Sequence, residues 1–216
     1  MASSAIKYLK WKEEKIKDNS PENISSMYDN GFVFTRIDKD MMHQTRSIRI
    51  DLDRFELSSE NRRILRKGES ISIIENIIPY SSYSWEIGKI GKDFYESRKA
   101  DFSANKIKEL IIDNKSNFNL FFNFSDIGYA ICYINNKILH YSYPFYNLKN
   151  SSKDMGMIMM LKTILLAKEK KLKYIYLGSL QRSNDVYKLQ FSGIEWFDGK
   201  MWQSDIEGAK EVLSTK

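Results

Sequence analysis

The sequence predicts an α/β fold in which helices flank a mixed sheet. Residues 118–143 indicate three strands joined by tight turns, which is typical of antiparallel hairpins. Residues 152–171 carry apolar side chains mostly at helical spacing and predict a long helix, and the short apolar segment 172–177 predicts a strand after it. Because a helix connects the strands on either side of it, this crossover can place them next to each other and parallel.

A smaller α+β part, residues 1–79, is predicted to pack against the larger part, residues 80–216. Ser20 can cap a helix that has Pro21 in its first turn. Alternating polar and apolar residues at 47–52 indicate a strand with one buried face. The other predicted elements are strands at 32–35 and 70–74, a short basic helix capped by Ser58 or Ser59, a helix at 106–113 capped by Ser103, and a closing hairpin at 191–202.

The composition is typical of an intracellular globular protein. Of its 216 residues, 42% are hydrophobic, and the longest apolar runs fall short of the roughly 20 residues that span a bilayer. Residues 1–4 lack a signal-peptide pattern, so we expect a cytoplasmic protein without a membrane partner. The net charge of +6 permits an anionic partner but does not identify one.

The sequence offers little for disulfide or metal chemistry. Cys132 is the single cysteine, which excludes an internal disulfide, and His43 and His140 are the two histidines, too few for a structural zinc site. We interpret Cys132 and His140 as core residues and expect a structural role for His43. No metal-ligand set is predicted.

The turn that opens the long helix, residues 153–156, is a candidate donor site. A helix N-terminus offers unpaired N–H groups and a positive dipole end, which can hold a phosphate or a developing oxyanion. In acetyl-CoA-dependent GNAT enzymes this turn reads Arg/Gln-x-x-Gly-x-Gly/Ala. Gly156 resembles its first glycine, but Ile158 stands where the motif has Gly or Ala. Asp154 also puts negative charge where a pyrophosphate would lie, so the ester end of a charged tRNA is the favoured donor. The alternative is that Gly156 only eases packing.

Several short motifs occur in a defined order. A Tyr-Leu-Gly strand end lies at 176–178, a Tyr-Lys pair at 187–188 precedes an aromatic strand, and an Asp-Gly hairpin with a Trp follows at 198–202. Upstream, residues 46–55 and 58–67 look like an Arg-x-x-x-Phe strand followed by a Ser-x-x-Gln-Arg-Arg block, although Asp51 lies four residues before Phe55 and Asn61 stands at the Gln position. Together they resemble the aminoacyl-tRNA–protein transferases, of the arginyl type and of the leucyl type that acts on Asp or Glu N-termini.

The resemblance implies a GNAT-like acyltransferase domain at 80–216. The implied reaction is direct transfer of an amino acid from aminoacyl-tRNA to the N-terminal amine of an acceptor protein or peptide. Some members of this family bind an iron–sulfur cluster, and cysteines often precede their Arg-x-x-x-Phe strand. Here residues 41–44 are Met, Met, His and Gln, so we expect no cluster and no other cofactor.

The resemblance also implies roles for site residues. Tyr187 and Lys188 would contact the 3′ end of the tRNA or the leaving ribose, and Asp185 is a candidate general base. Backbone N–H groups near Gly156 and Gly178 would stabilise the carbonyl oxygen. The other predicted substrate- or tRNA-binding residues are Arg46 and Arg49, either of which would hold an acidic acceptor, and Arg62, Arg63, Arg66, Lys153 and Tyr176. The alternatives are a solvated, salt-bridged face for the arginines and a core position for Tyr187.

Two other functions stay open at this point. An acetyl-CoA-dependent GNAT N-acetyltransferase would bind CoA, although Ile158 disfavours it. A non-catalytic relative would bind tRNA with steep salt dependence and transfer nothing. The residues specify neither the transferred amino acid nor the acceptor.

Overall fold

An eight-stranded mixed sheet forms the centre of the computed structural model, which describes residues 8–113 and 115–214. The strands are β1 (Lys12–Lys15), β2 (Phe32–Phe34), β3 (Met41–Gln44), β4 (Ser47–Asp51), β5 (Ile74–Ile77), β6 (Leu120–Phe124), β7 (Gly128–Ile134), β8 (Ile138–Tyr146), β9 (Tyr174–Ser179), β10 (Ile194–Phe197) and β11 (Trp202–Gln203). The helices are α1 (Pro21–Asp29), α2 (Ser59–Lys67), α3 (Trp85–Glu96), α4 (Ala104–Ile111), α5 (Met155–Glu169) and α6 (Ile206–Ser214), with a 3₁₀ helix at Ser183–Gln190. Residues 1–4, where the sequence lacks a signal-peptide pattern, lie outside the described residues.

The large sheet has the strand order β11-β10-β4-β9-β8-β7-β6-β5. Its neighbouring strands are antiparallel except for β8 and β9, which are parallel. Helix α5 connects these two strands, so the predicted helical crossover and the mixed α/β class are both confirmed. In this pair Ile138 lies opposite Tyr174, and His140 lies opposite Tyr176.

The large sheet takes strands from both sides of the predicted division at residue 79. Strands β4 and β5 precede that position, yet β4 lies between β9 and β10, and β5 pairs with β6 at the sheet edge. The small sheet, with the order β1-β3-β2, comes from the N-terminal part alone. The separation into residues 1–79 and 80–216 therefore stays a prediction, and the two parts share one sheet.

Local sequence signals begin three helices as predicted. Ser20, Ser58 and Ser103 each accept a hydrogen bond from the backbone N–H three residues later, at 3.1 to 3.3 Å. The tight turn at Ser125 and Asp126 has both residues at positive φ, 50° and 56°. Positive φ at both residues is the type I′ turn geometry, whose twist suits a hairpin, and here it lies in the three-residue loop between Phe124 of β6 and Gly128 of β7.

Strand β4 differs from its prediction because both of its faces are buried. The hydroxyl of Ser47 donates to the carbonyl of Gly31 at 2.7 Å, and the guanidinium of Arg49 has partners on three other elements. Polar side chains that find such partners can lie inside the protein, so the polar–apolar alternation did not mark a solvent-facing side.

Helices cover both faces of the large sheet. One apolar core includes Ile158 of α5 with side chains of α2 and α6, and the other includes Tyr28 of α1 with side chains of α3 and α4. Neighbouring residues of β8 therefore face different cores: Leu139 packs on the α5 side, and His140 contacts Tyr28 on the other side. Across the described residues, no helix combines the length and the apolar character needed to cross a membrane.

Candidate functional site

The two parallel strands separate beyond their last paired residues, His140 and Tyr176. From there β8 continues to Tyr146 against β7, while β9 continues to Ser179 against β4. A cleft with a volume of about 520 Å³ opens between the diverging ends and is also lined by residues after β2 and at the end of α3. Ligands of open α/β sheets bind outside the carboxyl ends of the strands, so this cleft is the candidate active site.

Gly178 exposes the backbone of β9 to this cleft. Its φ is +78°, which a residue with a side chain adopts only with strain, and a Cβ atom placed there would meet no atom beyond its chain neighbours within 4 Å. The peptide groups around Gly178 are therefore open to a ligand.

Lys188 and Asp185 form a buried ion pair on the cleft wall. Lys188 is 9% exposed, and its Nζ lies 2.9 Å from the carbonyl oxygen of Ser179 and 3.3 Å from Oδ1 of Asp185. The other carboxylate oxygen of Asp185 accepts hydrogen bonds from the backbone N–H groups of Gln181 and Arg182, at 2.8 and 2.9 Å. An ammonium group has three N–H donors, so these contacts of Lys188 leave one donor for a ligand.

Three arginines give the cleft a positive potential. Arg36, Arg98 and Arg182 line it, and in the described part of the chain none of their guanidinium groups has a carboxylate within ion-pair distance. Arg36 stacks on the ring of Phe102 at 4.2 Å, and Arg98 Nη2 donates to the hydroxyl of Tyr146 at 3.2 Å. Together with Lys188 they outnumber Asp185, the one carboxylate among the described residues that line the cleft, so the cleft favours an anionic ligand.

His140 lies at the point where β8 and β9 diverge. It is 1% exposed, and its Nδ1 lies 2.8 Å from the hydroxyl of Tyr28. Its Nε2 has no hydrogen-bond partner among the residues that the structure describes. Burial, together with the nearby charge of Lys188, lowers the pKa of His140 to about 3, so the ring is neutral at physiological pH.

The structure brings some of the predicted site residues together. Gly178, Asp185 and Lys188 line the cleft. Tyr187 lies beside Lys188, whose Nζ is 5.9 Å from the centre of the tyrosine ring, and its 44% exposure places it at the surface rather than in the core. Tyr176, two residues before Gly178 in β9, is fully buried. Its hydroxyl contacts Arg49 instead of the cleft.

Arg49 lies apart from the cleft in a closed set of contacts. Its Nε donates to Glu195 at 2.8 Å, and its Nη1 donates to Asp29 at 3.0 Å and to the hydroxyl of Tyr176 at 3.2 Å. The guanidinium also stacks between two aromatic rings: its Cζ atom lies 3.8 Å from the ring centre of Tyr174 and 3.9 Å from that of Trp202. Arg46, which is half-buried, donates at 3.4 Å to the carbonyl of Val212 in α6. Neither arginine is brought into the cleft.

Replacing Arg49 by methionine is expected to lower the free energy of unfolding by about 3 kcal/mol, because Glu195 would keep a buried carboxylate without this partner. Urea denaturation measures the change. Arg54→Met is the matched control: Arg54 also pairs with Glu195 but is half exposed, so its loss should cost at most about 1 kcal/mol. A raised acceptor KM for Arg49→Met with unchanged stability would instead support the acceptor-binding role that the family resemblance implied.

The remaining predicted residues form a basic corner where α2 meets the start of α5. Arg62, Arg63, Arg66 and Lys153 are exposed there. The N-terminus of α5 is held by an ion pair of 2.5 Å between Lys67 and Asp154, which lowers the pKa of Asp154 through the hydrogen bond to Lys67. A Cβ atom added to Gly156 would lie 3.4 Å from the ring of Tyr146. The hydroxyl of Tyr146 accepts a hydrogen bond from Arg98, which lines the cleft. Tyr146 therefore connects the basic corner to the cleft.

The sequence interpretation missed Arg36, Arg98 and Arg182, and it assigned His140 to the core alone. The three arginines are isolated along the chain, so no local cluster marked them. A histidine inside an apolar strand was the one available signal, because a buried imidazole needs partners for both ring nitrogens. Across residues 8–113 and 115–214, no group of three or more His, Cys, Asp or Glu side chains is arranged to hold a metal ion.

Several solved structures are similar to the chain at low sequence identity. A C-terminal domain of a candidate lysylphosphatidylglycerol synthetase from Agrobacterium fabrum is 12% identical, with a TM-score of 0.45 over 78% of this chain and 54% of that one. L-PGS from Bacillus licheniformis is 11% identical, with a TM-score of 0.48 over 91% of this chain and 71% of that one. A GCN5-related glucosamine N-acetyltransferase region of a fungal multi-domain GH3 β-N-acetylglucosaminidase is 9% identical, with a TM-score of 0.45 over 85% of this chain and 22% of that one. The chain thus spans about half the length of the first of these.

No curated protein sequence matches the chain. The family model for the C-terminus of arginine-tRNA-protein transferases matches residues 80–198, which is more than half of the chain. The matched segment contains both diverging strands, the helix between them and the Asp185–Lys188 pair. The chain belongs to the arginine-tRNA-protein transferase family.

Proposed function

We propose that this protein transfers an amino acid from aminoacyl-tRNA to the N-terminal amine of an acidic protein or peptide, in the cleft between β8 and β9. Membership of a family of transferases that use aminoacyl-tRNA supports the reaction class. The observation that carries the proposal is the cleft itself, which holds a buried ammonium and three arginines without carboxylate partners in the described residues.

The reaction needs no covalent enzyme intermediate, because the ester of aminoacyl-tRNA is already activated. The acceptor nitrogen attacks the ester carbonyl carbon, the new C–N bond forms, and the C–O bond to the ribose breaks. The proton lost by the amine ends on the released ribose hydroxyl. An α-amino group has a pKa of about 7.7–8.0, so a useful fraction is uncharged near neutral pH without a strong base.

In this proposal Lys188 is the catalytic cation and Asp185 is a positioning residue. The third N–H of Lys188 is directed to the oxygen that gains charge on the carbonyl or on the leaving ribose. Asp185 already accepts two backbone hydrogen bonds and one contact from Lys188, which occupies most of its lone pairs and makes it a poor base. It holds Lys188 and the segment at 181–182 in place.

The acceptor end of the site is assigned to the three cleft arginines. Guanidinium groups bind carboxylates through paired hydrogen bonds, and Arg36 and Arg98 are already held by stacking and by a tyrosine hydroxyl. We therefore propose that they select an acceptor with an acidic N-terminal residue. Arg49, whose Nε and Nη1 donate to Glu195, Asp29 and Tyr176, is left out of this role.

The body of the tRNA is assigned to the basic corner. If Arg62 and Arg66 each contact a phosphate, Arg62→Ala and Arg66→Ala should each weaken tRNA binding and reduce the slope of log affinity against log salt by about one unit. Filter binding across a salt series measures the slope. Lys108→Ala, an exposed change on α4 at the other face, should leave the slope unchanged. Equal slopes for all variants would remove the corner from tRNA binding.

The proposed function is tested by incubating the protein with a pool of charged tRNAs and peptides with different N-terminal residues, and by measuring peptide mass. We expect an aminoacyl increment on peptides that begin with Asp or Glu. A parallel reaction supplies acetyl-CoA instead. Acetylation without any aminoacyl increment, or tRNA binding without transfer of either group, would overturn the proposal.

A further inference from the structure

We infer that His140 is a further catalytic residue, which donates a hydrogen bond from Nε2–H to the reacting ester group, and that Tyr28 positions it. This inference rests on the proposed function, since it needs an ester in the cleft. His140 lines the cleft at the last paired position of the parallel strands, where the backbones of β8 and β9 begin to part. The hydroxyl of its ladder partner, Tyr176, contacts Arg49 instead of the cleft.

The hydrogen bonds of Tyr28 determine which ring nitrogen of His140 carries the proton. Tyr28 is fully buried, and its hydroxyl oxygen accepts a hydrogen bond from the backbone N–H of Phe34 at 3.4 Å. Among the described residues, the acceptor within reach of its own proton is Nδ1 of His140, at 2.8 Å. A neutral imidazole has one N–H, so Nδ1 without a proton leaves the proton on Nε2.

The surroundings keep this ring neutral and its Nε2–H unused by the protein. Lys188 of the 3₁₀ helix is the charged group that acts on His140, while α1 supplies Tyr28 and the segment before β6 supplies Phe118. A buried donor without a partner costs about 1–3 kcal/mol, so an acceptor that reaches this N–H from the cleft would be stabilised there. Next to an ammonium, that acceptor is an electron-rich oxygen, as the carbonyl oxygen of the ester becomes during attack.

Two replacements separate the two ends of the imidazole. In His140→Asn the amide stays at the level of Nδ1 and can still accept from Tyr28, but nothing reaches the position of Nε2. In His140→Gln the amide nitrogen reaches approximately that position and restores a donor. We expect kcat for aminoacyl transfer to fall about 100-fold in His140→Asn and by at most about 10-fold in His140→Gln, with thermal unfolding of both variants recorded.

The tautomer is measured directly in the wild-type protein. The chain has two histidines, so a long-range ¹H–¹⁵N spectrum contains two ring systems, and His140→Gln identifies which one belongs to His140. We expect a protonated Nε2 and a bare Nδ1, unchanged between pH 5 and 8. In Tyr28→Phe, which removes the partner of Nδ1, we expect a mixture of the two tautomers and a reduced kcat.

The outcomes are distinct. A proton on Nδ1 in the wild-type protein, or full kcat in folded His140→Asn, would overturn the role of His140 while leaving the proposed function intact. A wild-type protein that transfers no aminoacyl group would overturn the proposed function, and the donor role of Nε2–H with it, whatever the tautomer.

Discussion

Lys188→Met is expected to lower kcat for aminoacyl transfer about 100-fold while the KM for both substrates changes little. The ammonium is 9% exposed and lies among the diverging strand ends, where its charge acts on a developing oxyanion with little screening by water. Removal of one such donor from an acyl-transfer site costs about 10²–10³ in rate. Single-turnover transfer from a charged tRNA to an acidic peptide measures the effect.

Lys137→Met is the matched control for this prediction. Lys137 is exposed and precedes β8 at the amino end of the strand, away from the cleft. Lys188→Arg keeps the charge and should keep more of the rate than Lys188→Met. A Lys188→Met protein that melts normally and transfers at the wild-type rate would show that the buried ammonium has a structural role only.

Removing the cleft arginines is expected to abolish the preference for acidic acceptors. A hydrogen bond to a charged group contributes about 1.5–3 kcal/mol, so each of Arg36→Met, Arg98→Met and Arg182→Met should raise the KM for a peptide beginning with Asp about 10-fold or more. The matched control is the acceptor itself: the same peptide beginning with Asn has no carboxylate, and its KM should not change. Equal losses for the Asp and Asn peptides would contradict an acidic-acceptor site at these arginines.

The sequence predicted the parts of the fold that depend on near neighbours in the chain. Ser20, Ser58 and Ser103 cap their helices because each serine hydroxyl reaches a backbone N–H three residues away. The crossover from β8 through α5 to β9 also follows from local periodicity and from the geometry that helical connections impose. Asp185 and Lys188 were predicted as separate site residues and not as an ion pair, although they lie only three residues apart.

The rest of the site depends on contacts between distant residues. Arg36 and Arg49 are both arginines at or just after short strands, yet one reaches the cleft and the other is enclosed by Asp29, Tyr176 and Glu195. The insertion of β4 between β9 and β10 brings Tyr176 and Glu195 to Arg49, and α1 brings Asp29. The orphan Nε2 of His140 is hidden in the same way, because Tyr28, which satisfies the other nitrogen, lies 112 residues away in the chain.

Filling the cleft tests most directly that transfer occurs between β8 and β9. Gly178→Ala and Gly178→Leu share the strain of a side chain at φ +78°, roughly 1–2 kcal/mol, and in both the Cβ atom meets no atom beyond its chain neighbours within 4 Å. They differ in how far the side chain enters the cleft. We predict that single-turnover transfer from charged tRNA to an acidic peptide stays within a few-fold of wild type in Gly178→Ala and falls at least about 100-fold in Gly178→Leu. Equal rates in the two folded variants would contradict a catalytic site in this cleft.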